Sequence, residues 1–326
     1  MTARRILVRL PNWLGDLLMS RPLLVALRTT LREAHIHAMG TPAASLIRRE
    51  GLWDAWTGWP IDPEDAFFLA RQSFDASVVL PPSFSSAWWL RPLRIPCRIG
   101  FATGGRSWLL SHALKRPDRG EMHLSEEYLR LGEPLGVLRA SVPLLRAAPD
   151  ELEAAGARLR RMELVDRPHV VFGPGAAYGP AKRWPSERFV TLGRRFTERG
   201  LAVLVCGAAE DRSLAQAMAS EMGPGAQSVA GQTSLEEQLA LCATARVTVS
   251  NDSGLAHLAA ASGAPTVVIF GSTSSAWTAP LGPRVVVVQR APVCSPCFRR
   301  TCGIGYRCLA AITVDEVDRA CRRIAA

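Results

Sequence analysis

The 326-residue chain lacks any apolar run near the roughly 20 residues that a helix needs to cross a bilayer. It also lacks a run of basic residues interleaved with aromatics, although lysine plus arginine outnumber acidic residues by 39 to 29 and the formal net charge is +10. Such dispersed charge argues against a dedicated nucleic-acid groove but is compatible with an anionic substrate or surface. Its 48% hydrophobic content is typical of a globular protein, and its length allows two domains.

The loop from Gly173 to Pro185 lacks both common phosphate-binding patterns, the P-loop ending in Gly-Lys-Ser/Thr and the G-x-G-x-x-G fingerprint. It nevertheless contains three glycines, followed by Lys182 and Arg183, ahead of a predicted helix that begins near Ser186. Glycines expose backbone N–H groups, and a lysine supplies a point charge to a diphosphate without a metal. The loop therefore indicates either a diphosphate site or an ordinary surface connection between strand and helix.

Alternating strand and helix patterns occur in two sets, which predict an α/β fold with two doubly wound parallel sheets. The boundary is expected in the charged helical stretch Asp150–Asp166, whose composition suits a solvated connecting helix, giving domains 1–160 and 161–326. The second domain is expected to include a cysteine-rich segment, 294–308, and a final helix. The first residues read as a strand and not as a signal peptide, so we expect a cytosolic protein. The predicted strands are Arg5–Leu10, Ile36–Met39, Ala76–Leu80, His169–Phe172, Leu201–Cys206, Arg246–Ser250 and Thr266–Phe270, and the predicted helices are Asp16–Leu31, Glu187–Arg199, Arg212–Met222 and Leu235–Ala243.

The segment 248–258 predicts a buried strand that runs into a helix through a polar turn. Asn251, Asp252 and Ser253 are residue types that cap helices, and Gly254 allows close approach to the backbone. A helix N-terminus attracts anions such as phosphate, and a neighbouring carboxylate suits the hydroxyls of a sugar. The alternative is a well-capped helix with no ligand.

Asp16 follows the first strand closely, one residue after Gly15. A carboxylate at the end of a strand can act as a general base toward an attacking hydroxyl. It can equally serve only to stabilise the start of the following helix.

Four of the eight cysteines lie in a short segment, 294–308, as Cys294, Cys297, Cys302 and Cys308. Their spacing leaves open a zinc or iron–sulfur site or a set of bare thiols. The remaining cysteines are expected to be buried: Cys97, Cys206, Cys242 and Cys321. Most tryptophans of the N-terminal half are expected in the core, while the rest, near several arginines, could form an acceptor and membrane face.

Three sets of motifs, in order along the chain, resemble the ADP-heptose:lipopolysaccharide heptosyltransferases of glycosyltransferase family 9, closest to the heptosyltransferase II branch. The first is Pro11-Asn12-Trp13-Leu14-Gly15-Asp16, after the strand Ile6-Leu7-Val8. The second is Gly179-Pro180-Ala181-Lys182-Arg183-Trp184-Pro185, and the third is Asn251-Asp252-Ser253-Gly254-Leu255 with His257. The segments Leu80–Ala87 and Ile95–Phe101 add to the resemblance.

The resemblance implies a GT-B architecture, in which two Rossmann-like domains face a central cleft, with the acceptor in the N-terminal domain and ADP-heptose in the C-terminal one. It implies inverting transfer to the inner core of lipopolysaccharide (Kdo/heptose-lipid A), with no cofactor, no metal ligand and no nucleic-acid partner. Asp16 matches the family's general base, Lys182 the lysine at the diphosphate and Asp252 the acid that binds the heptose. The other expected substrate-binding residues are Asn12, Trp13, Gly15, Gly175, Ala176, Gly179, Arg183, Ser253, Gly254 and His257.

Such an enzyme would work at the inner face of the cytoplasmic membrane, in peripheral contact with anionic lipid. Two other functions remain open at the sequence level: a sugar-nucleotide epimerase of the same architecture, and a metal-containing nucleic-acid-binding protein that uses the cysteine cluster and the positive charge. The acceptor, the choice between first and second heptose, and the oligomeric state are left undetermined by the sequence.

Overall fold

The structure is a computed structural model, and it describes residues 3–165 and 167–325. The chain divides into two compact units, Met1–Pro143 and Leu144–Ala326. Asp166, which ends the predicted connecting helix, lies outside the described residues, as do Met1, Thr2 and Ala326.

Unit 1 contains one parallel sheet of six strands within its described residues, in the order β3-β2-β1-β4-β5-β6. The central strand β1 is covered on both faces, since Ile6, Leu7 and Val8 are fully buried. Its strands are β1 (Arg5–Arg9), β2 (His35–Gly40), β3 (Ala55–Gly58), β4 (Ala76–Val79), β5 (Cys97–Phe101) and β6 (His112–Leu114). Its helices are α1 (Leu14–Thr30), α2 (Ser45–Arg48), α3 (Pro63–Ala70), α4 (Phe84–Trp88) and α5 (Leu124–Arg130).

Unit 2 repeats this design, and its described residues form a parallel sheet of six strands in the order β12-β11-β10-β7-β8-β9. The strands are β7 (His169–Gly173), β8 (Ala202–Val205), β9 (Ala226–Ser228), β10 (Val247–Asn251), β11 (Thr266–Phe270) and β12 (Val285–Gln289). The helices are α6 (Pro149–Arg161), α7 (Ser186–Glu198), α8 (Arg212–Met222), α9 (Leu235–Ala243), α10 (Gly254–Ser262), α11 (Ser275–Thr278), α12 (Arg307–Ala310) and α13 (Val314–Ala325).

The predicted α/β class is confirmed, and the seven predicted strands and the helices Asp16–Leu31, Glu187–Arg199, Arg212–Met222 and Leu235–Ala243 are present with ends within two residues. The predicted connecting helix is α6, which ends at Arg161, five residues before Asp166. The strands that sequence patterns did not predict are β3, β5, β6, β9 and β12. Strands β6 and β9 have three residues each, too few for an alternating pattern to register. The predicted final helix is α13, and the four scattered cysteines are buried as expected.

The division between the units falls at Pro143 and Leu144, earlier in the chain than the predicted boundary at residues 160 and 161. The helix α6, which the sequence suggested as a solvated connection, packs against α9 of unit 2. Its Arg158 forms an ion pair with Glu237 of α9. A further bond holds the start of unit 2, since the Leu145 N–H donates to the carbonyl of Ala261.

Among the helices in the described part of the chain, none is both long and apolar enough to cross a membrane.

Candidate active site

Three loops of unit 2 meet at one edge of its sheet, because β7, β10 and β11 are parallel neighbours and their carboxyl ends lie side by side. Gly173 ends β7, Asn251 ends β10 and Phe270 ends β11. Ligands of doubly wound sheets bind at this edge. The loops that follow these strands are therefore the first place to look for a substrate site.

Lys182, Asp252 and Thr273 form a polar cluster, one residue from each of these loops. The Lys182 ammonium lies 2.5 Å from Oδ2 of Asp252, and the Thr273 hydroxyl donates to the same oxygen at 2.6 Å. Asp252 is 3% exposed and Thr273 4%. The Lys182 side chain retains 14% exposure, so its ammonium, with three N–H donors, can also reach a ligand above the sheet edge.

Asn251 ties the loop after β7 to the end of β10. Its amide donates to the carbonyl of Pro174 at 2.6 Å, and its Oδ1 accepts from the Trp184 N–H at 3.0 Å. These bonds hold both ends of the Lys182 loop over β10, and they fix where the lysine can reach.

The predicted capping of α10 by side chains is wrong. Ser253 occupies the N-cap position, but its hydroxyl makes no capping bond and lies 3.0 Å from Ser250 Oγ. Asn251 and Asp252 bond to other loops instead. Competition from these partners leaves the first-turn N–H groups of α10, at Gly254 and Leu255, without a side-chain cap, which is the arrangement that suits an anionic ligand.

Glycine is required at two positions of the Lys182 loop, because neighbouring protein atoms leave no room for a side chain there. A Cβ at Gly175 would lie 2.2 Å from Asp211 Oδ2, and one at Gly179 would lie 2.6 Å from the carbonyl of Arg300. Gly179 also has φ +144°, a backbone conformation that other residues rarely adopt. Asp211 lies 3.6 Å from the Arg183 guanidinium. Arg183 therefore has a carboxylate partner within unit 2.

The loop is covered by part of the cysteine-rich segment. The Tyr178 hydroxyl donates to the carbonyl of Phe298, and the Ala181 N–H donates to that of Arg300 at 3.0 Å. Two cations lie near the Tyr178 ring, with the Lys182 ammonium 4.9 Å and the Arg300 guanidinium 5.4 Å from its centre. This segment thus contributes to the wall around Lys182 through its backbone and through Arg300.

Three of the four cysteines in segment 294–308 lie near one another, since burial raises the pKa of the Cys308 thiol and the charges of Cys297 and Cys294 raise it further. Within the described residues, no group of three or more His, Cys, Asp or Glu side chains is arranged to hold a metal ion. All four are free thiols; Cys294 and Cys297 are exposed, and Cys302 and Cys308 are half-buried.

In unit 1, the loop between β1 and α1 is organised by Arg9. This arginine is 1% exposed and lies over the Trp59 ring at 4.1 Å. It donates to the carbonyl of Leu10 and, at 2.6 Å, to Asn12 Oδ1. Burial lowers the pKa of Arg9 to about 10, so the guanidinium stays charged at neutral pH. Trp13, which follows, is 58% exposed.

Asp16 lies in the first turn of α1, as predicted, and is half-buried. The charge of Asp16 acts on Tyr128 of α5, which is a buried residue. Burial raises the pKa of the Tyr128 hydroxyl well above its ordinary value, and the charge of Asp16 raises it further, while Arg116 opposes both. Arg116 in turn binds buried Glu127 at 2.8 Å. The carboxylate of Asp16 therefore lies close enough to Tyr128 to act on it electrostatically.

The structure thus brings Lys182 and Asp252 together in unit 2, with Ser253 and Gly254 beside them, and places Asn12, Trp13, Gly15 and Asp16 in one loop of unit 1. Ala176 is buried, and its carbonyl accepts from the Arg183 guanidinium at 3.3 Å. His257 is 4% exposed within α10.

Thr273, Tyr178 and Asp211 were not predicted, although all three touch predicted site residues. Thr273 lies just beyond the end of β11, so the rule that ligands bind at strand carboxyl ends could have found it. Lys182 carried a further signal, because the chain contains only two lysines, the other being Lys115.

Comparison with known protein families identifies the family to which this chain belongs. Residues 68–306 match the model of glycosyltransferase family 9 (heptosyltransferase). The chain belongs to this family.

Relatives and solved structures agree with the family assignment. The lipooligosaccharide heptosyltransferase 2 of Haemophilus ducreyi is 31% identical over 310 residues, which cover 87% of this chain and 88% of that protein. The lipopolysaccharide heptosyltransferase 2 of Escherichia coli K12 is 29% identical at the same coverage. The structure of E. coli ADP-heptose LPS heptosyltransferase II superposes with a TM-score of 0.83, at 27% identity and 98% coverage of both chains.

A family 9 glycosyltransferase from Veillonella parvula superposes with a TM-score of 0.87 over 99% of this chain and 97% of that one; at 20% identity it supports the fold alone. The predicted GT-B fold and the predicted resemblance are both confirmed. The protein is a glycosyltransferase, and of the functions that the sequence left open, the comparisons favour neither the epimerase nor the nucleic-acid-binding protein.

Proposed function

We propose that this glycosyltransferase moves a heptose from ADP-heptose to the inner core of lipopolysaccharide, with inversion at the anomeric carbon and without an essential metal. The observation that carries the proposal is the Lys182–Asp252–Thr273 cluster beside the uncapped N-terminus of α10. It occurs in a chain whose relatives, over 87% of its length, are named heptosyltransferase 2.

Unit 2 is proposed to bind the donor. Lys182 and the N–H groups at Ser253 and Gly254 would contact the diphosphate, since cations and helix N-termini both attract phosphate. Asp252, held by Lys182 and Thr273, presents carboxylate oxygens that can accept hydrogen bonds from heptose hydroxyls. Glycines 175 and 179 shape the loop, and Ala176, Arg183 and His257 are proposed to line the same site.

Unit 1 is proposed to bind the acceptor near Asn12, Trp13 and Gly15, with Asp16 as general base. The acceptor hydroxyl transfers its proton to the Asp16 carboxylate while its oxygen attacks the anomeric carbon. The bond between that carbon and the phosphate oxygen breaks, and ADP leaves with the electron pair. Lys182 and the α10 N-terminus stabilise the negative charge that grows on the diphosphate, so no Lewis acid is required.

Lipopolysaccharide core is assembled on a lipid, so the proposal places the protein at the cytoplasmic face of the inner membrane in peripheral contact with anionic lipid. The net charge of +10 favours such contact. No nucleic-acid partner is proposed.

Release of ADP from ADP-heptose, measured with and without a core-truncated lipopolysaccharide acceptor, tests the proposal. We expect release only when acceptor is present, and an unchanged rate after treatment with a chelator. Acceptor-independent conversion of the donor would contradict transfer, and a strict need for added magnesium would contradict the metal-free mechanism.

A further inference from the structure

Large aromatic side chains are exposed in unit 1 but not in unit 2. Phe84, Trp88 and Trp108 expose 40%, 46% and 60% of their surface. In the described part of unit 2, by contrast, every phenylalanine and tryptophan is buried or half-buried. Contiguous exposed apolar surface is uncommon on soluble proteins and marks an interaction site.

Phe84, Trp88 and Trp108 form one cluster. Phe84 stacks on Trp88 with ring centres 5.7 Å apart, and the Trp108 ring centre lies 6.1 Å from that of Trp88 and 6.3 Å from that of Phe84. The Arg91 guanidinium lies 5.3 Å from the Trp88 ring and 5.8 Å from the Trp108 ring. The cluster is thus a preformed apolar platform with a cation on it.

A cavity of about 330 Å³ adjoins the platform, and Trp108 lines both. Three arginines, Arg91, Arg94 and Arg98, also line it. Arg98 is fixed by bonds to the carbonyls of Ile95 and Leu109. Within residues 3–165 and 167–325, no carboxylate pairs with any of these arginines, so their charge is available to an external anion. The aromatic–arginine face is defined here as Phe84, Trp88, Arg91, Arg94, Arg98 and Trp108.

The surrounding sequence is almost free of negative charge. Residues 66–117 contain seven basic residues and one acidic residue, Asp75. Asp75 accepts from the N–H groups of Arg4 and Arg5, at the start of β1, and so does not neutralise the face. A partner with anionic groups above an apolar layer would match both the arginines and the rings.

We propose that the aromatic–arginine face docks unit 1 on an anionic phospholipid bilayer. Tryptophan favours the boundary between head groups and acyl chains, and arginine keeps its charge at the phosphate level while its stem packs against apolar groups. The inference rests on the proposed function in one respect, since a lipid-borne acceptor requires the enzyme to reach a membrane. Binding to lipid is nevertheless measurable without any turnover.

Co-sedimentation with vesicles tests the inference, with phosphatidylcholine alone compared with an equal mixture of phosphatidylcholine and phosphatidylglycerol. We expect binding to the anionic vesicles only, weakening as salt is raised. Arg91→Gln with Arg94→Gln should reduce partitioning about thirtyfold, because each arginine near an anionic surface contributes about a factor of five. Trp88→Ser with Trp108→Ser should also reduce it. Leu152→Ser with Arg160→Gln, an exposed apolar and basic pair on α6, is the matched control and should bind as the parent does.

Thermal unfolding confirms that each variant is folded, and ADP release with a delipidated core acceptor shows whether the catalytic machinery is intact. Reduced vesicle binding with normal release from the soluble acceptor supports the inference. Unchanged vesicle binding by both double variants would overturn it, as would equal binding of the parent to neutral and anionic vesicles. A dimer of the parent that the tryptophan variant abolishes, without lipid binding, would instead assign the face to a second copy of the chain. An enzyme that binds vesicles but releases no ADP would refute the proposed function alone.

Discussion

Replacing Lys182 by methionine keeps a long side chain beside Asp252 but removes the ammonium. Two unit charges 2.5 Å apart attract by about 7 kcal/mol at an effective dielectric constant of 20, before the loss of hydration is subtracted. Removing one partner of a buried pair usually lowers stability by about 3–5 kcal/mol, because the other charge is left uncompensated. Since Lys182 is 14% exposed, we expect the lower end, about 3 kcal/mol.

For a domain of this size, a loss of about 3 kcal/mol lowers the midpoint of thermal unfolding by about 6–12 °C. The double variant Lys182→Met with Asp252→Asn removes both charges and should recover most of that loss. It should not recover affinity for ADP-heptose, measured by calorimetry, because the cation that contacts the diphosphate is still missing. The two readouts therefore separate the structural role of the lysine from its role toward the donor.

Two results would refute this reasoning. A Lys182→Met protein that melts with the parent would show that the ion pair does not stabilise unit 2. A double variant that binds ADP-heptose as tightly as the parent would show that Lys182 does not contact the donor.

Other variants test the remaining assignments. Asp16→Asn should fold and bind ADP-heptose normally while turnover falls about a hundredfold to ten-thousandfold. The control is Asp65→Asn, also in the first turn of a unit 1 helix. Turnover of the Asp16 variant within a few-fold of the parent would exclude Asp16 as the general base. Arg199 holds the pKa of Asp318 at about 2, below its unfolded value, so the stability that the carboxylate contributes is present above about pH 4 and lost as the pH falls toward 2. Asp318→Asn should thus lower the free energy of urea unfolding by about 2 kcal/mol at pH 7 and by little at pH 2, and an equal difference at both pH values would contradict the assignment. Cys294→Ser with Cys297→Ser should keep most of the turnover and change the free energy of unfolding by about 0.5 kcal/mol or less, since both thiols are exposed. Elemental analysis that finds a stoichiometric metal in the parent, lost in this variant together with activity, would contradict this prediction.

Much of the fold could be predicted because helix and strand periods are local properties of the sequence. The strand β11 and the helices α8 and α9 were predicted with their observed ends, since each is an apolar-patterned segment bounded by polar or turn residues. The strand β12 was missed although its run of four β-branched valines favours a strand. The position of α6 was missed for a different reason, since its packing on α9 is a tertiary contact.

The site was predictable only in part. Motifs identified Lys182 and Asp252, but no local pattern indicates that Thr273, from a different loop, would donate to the same carboxylate oxygen. The capping prediction failed for a related reason. Asn251 has the right side chain for an N-cap, yet Pro174 and Trp184, distant in sequence, take both ends of its amide. Which of the competing hydrogen bonds forms depends on tertiary contacts, and the local sequence around Asn251 does not reveal those contacts.

The mass of the acceptor after reaction is the most direct test of heptosyl transfer. The protein is incubated with ADP-heptose and a series of defined core-truncated lipopolysaccharides, and each product is examined by mass spectrometry. The account predicts that one acceptor of the series gains a single heptosyl residue, with ADP formed in equal amount, and that Asp16→Asn strongly slows this gain. Unchanged acceptor masses throughout the series, with the parent protein folded and the donor bound, would contradict it.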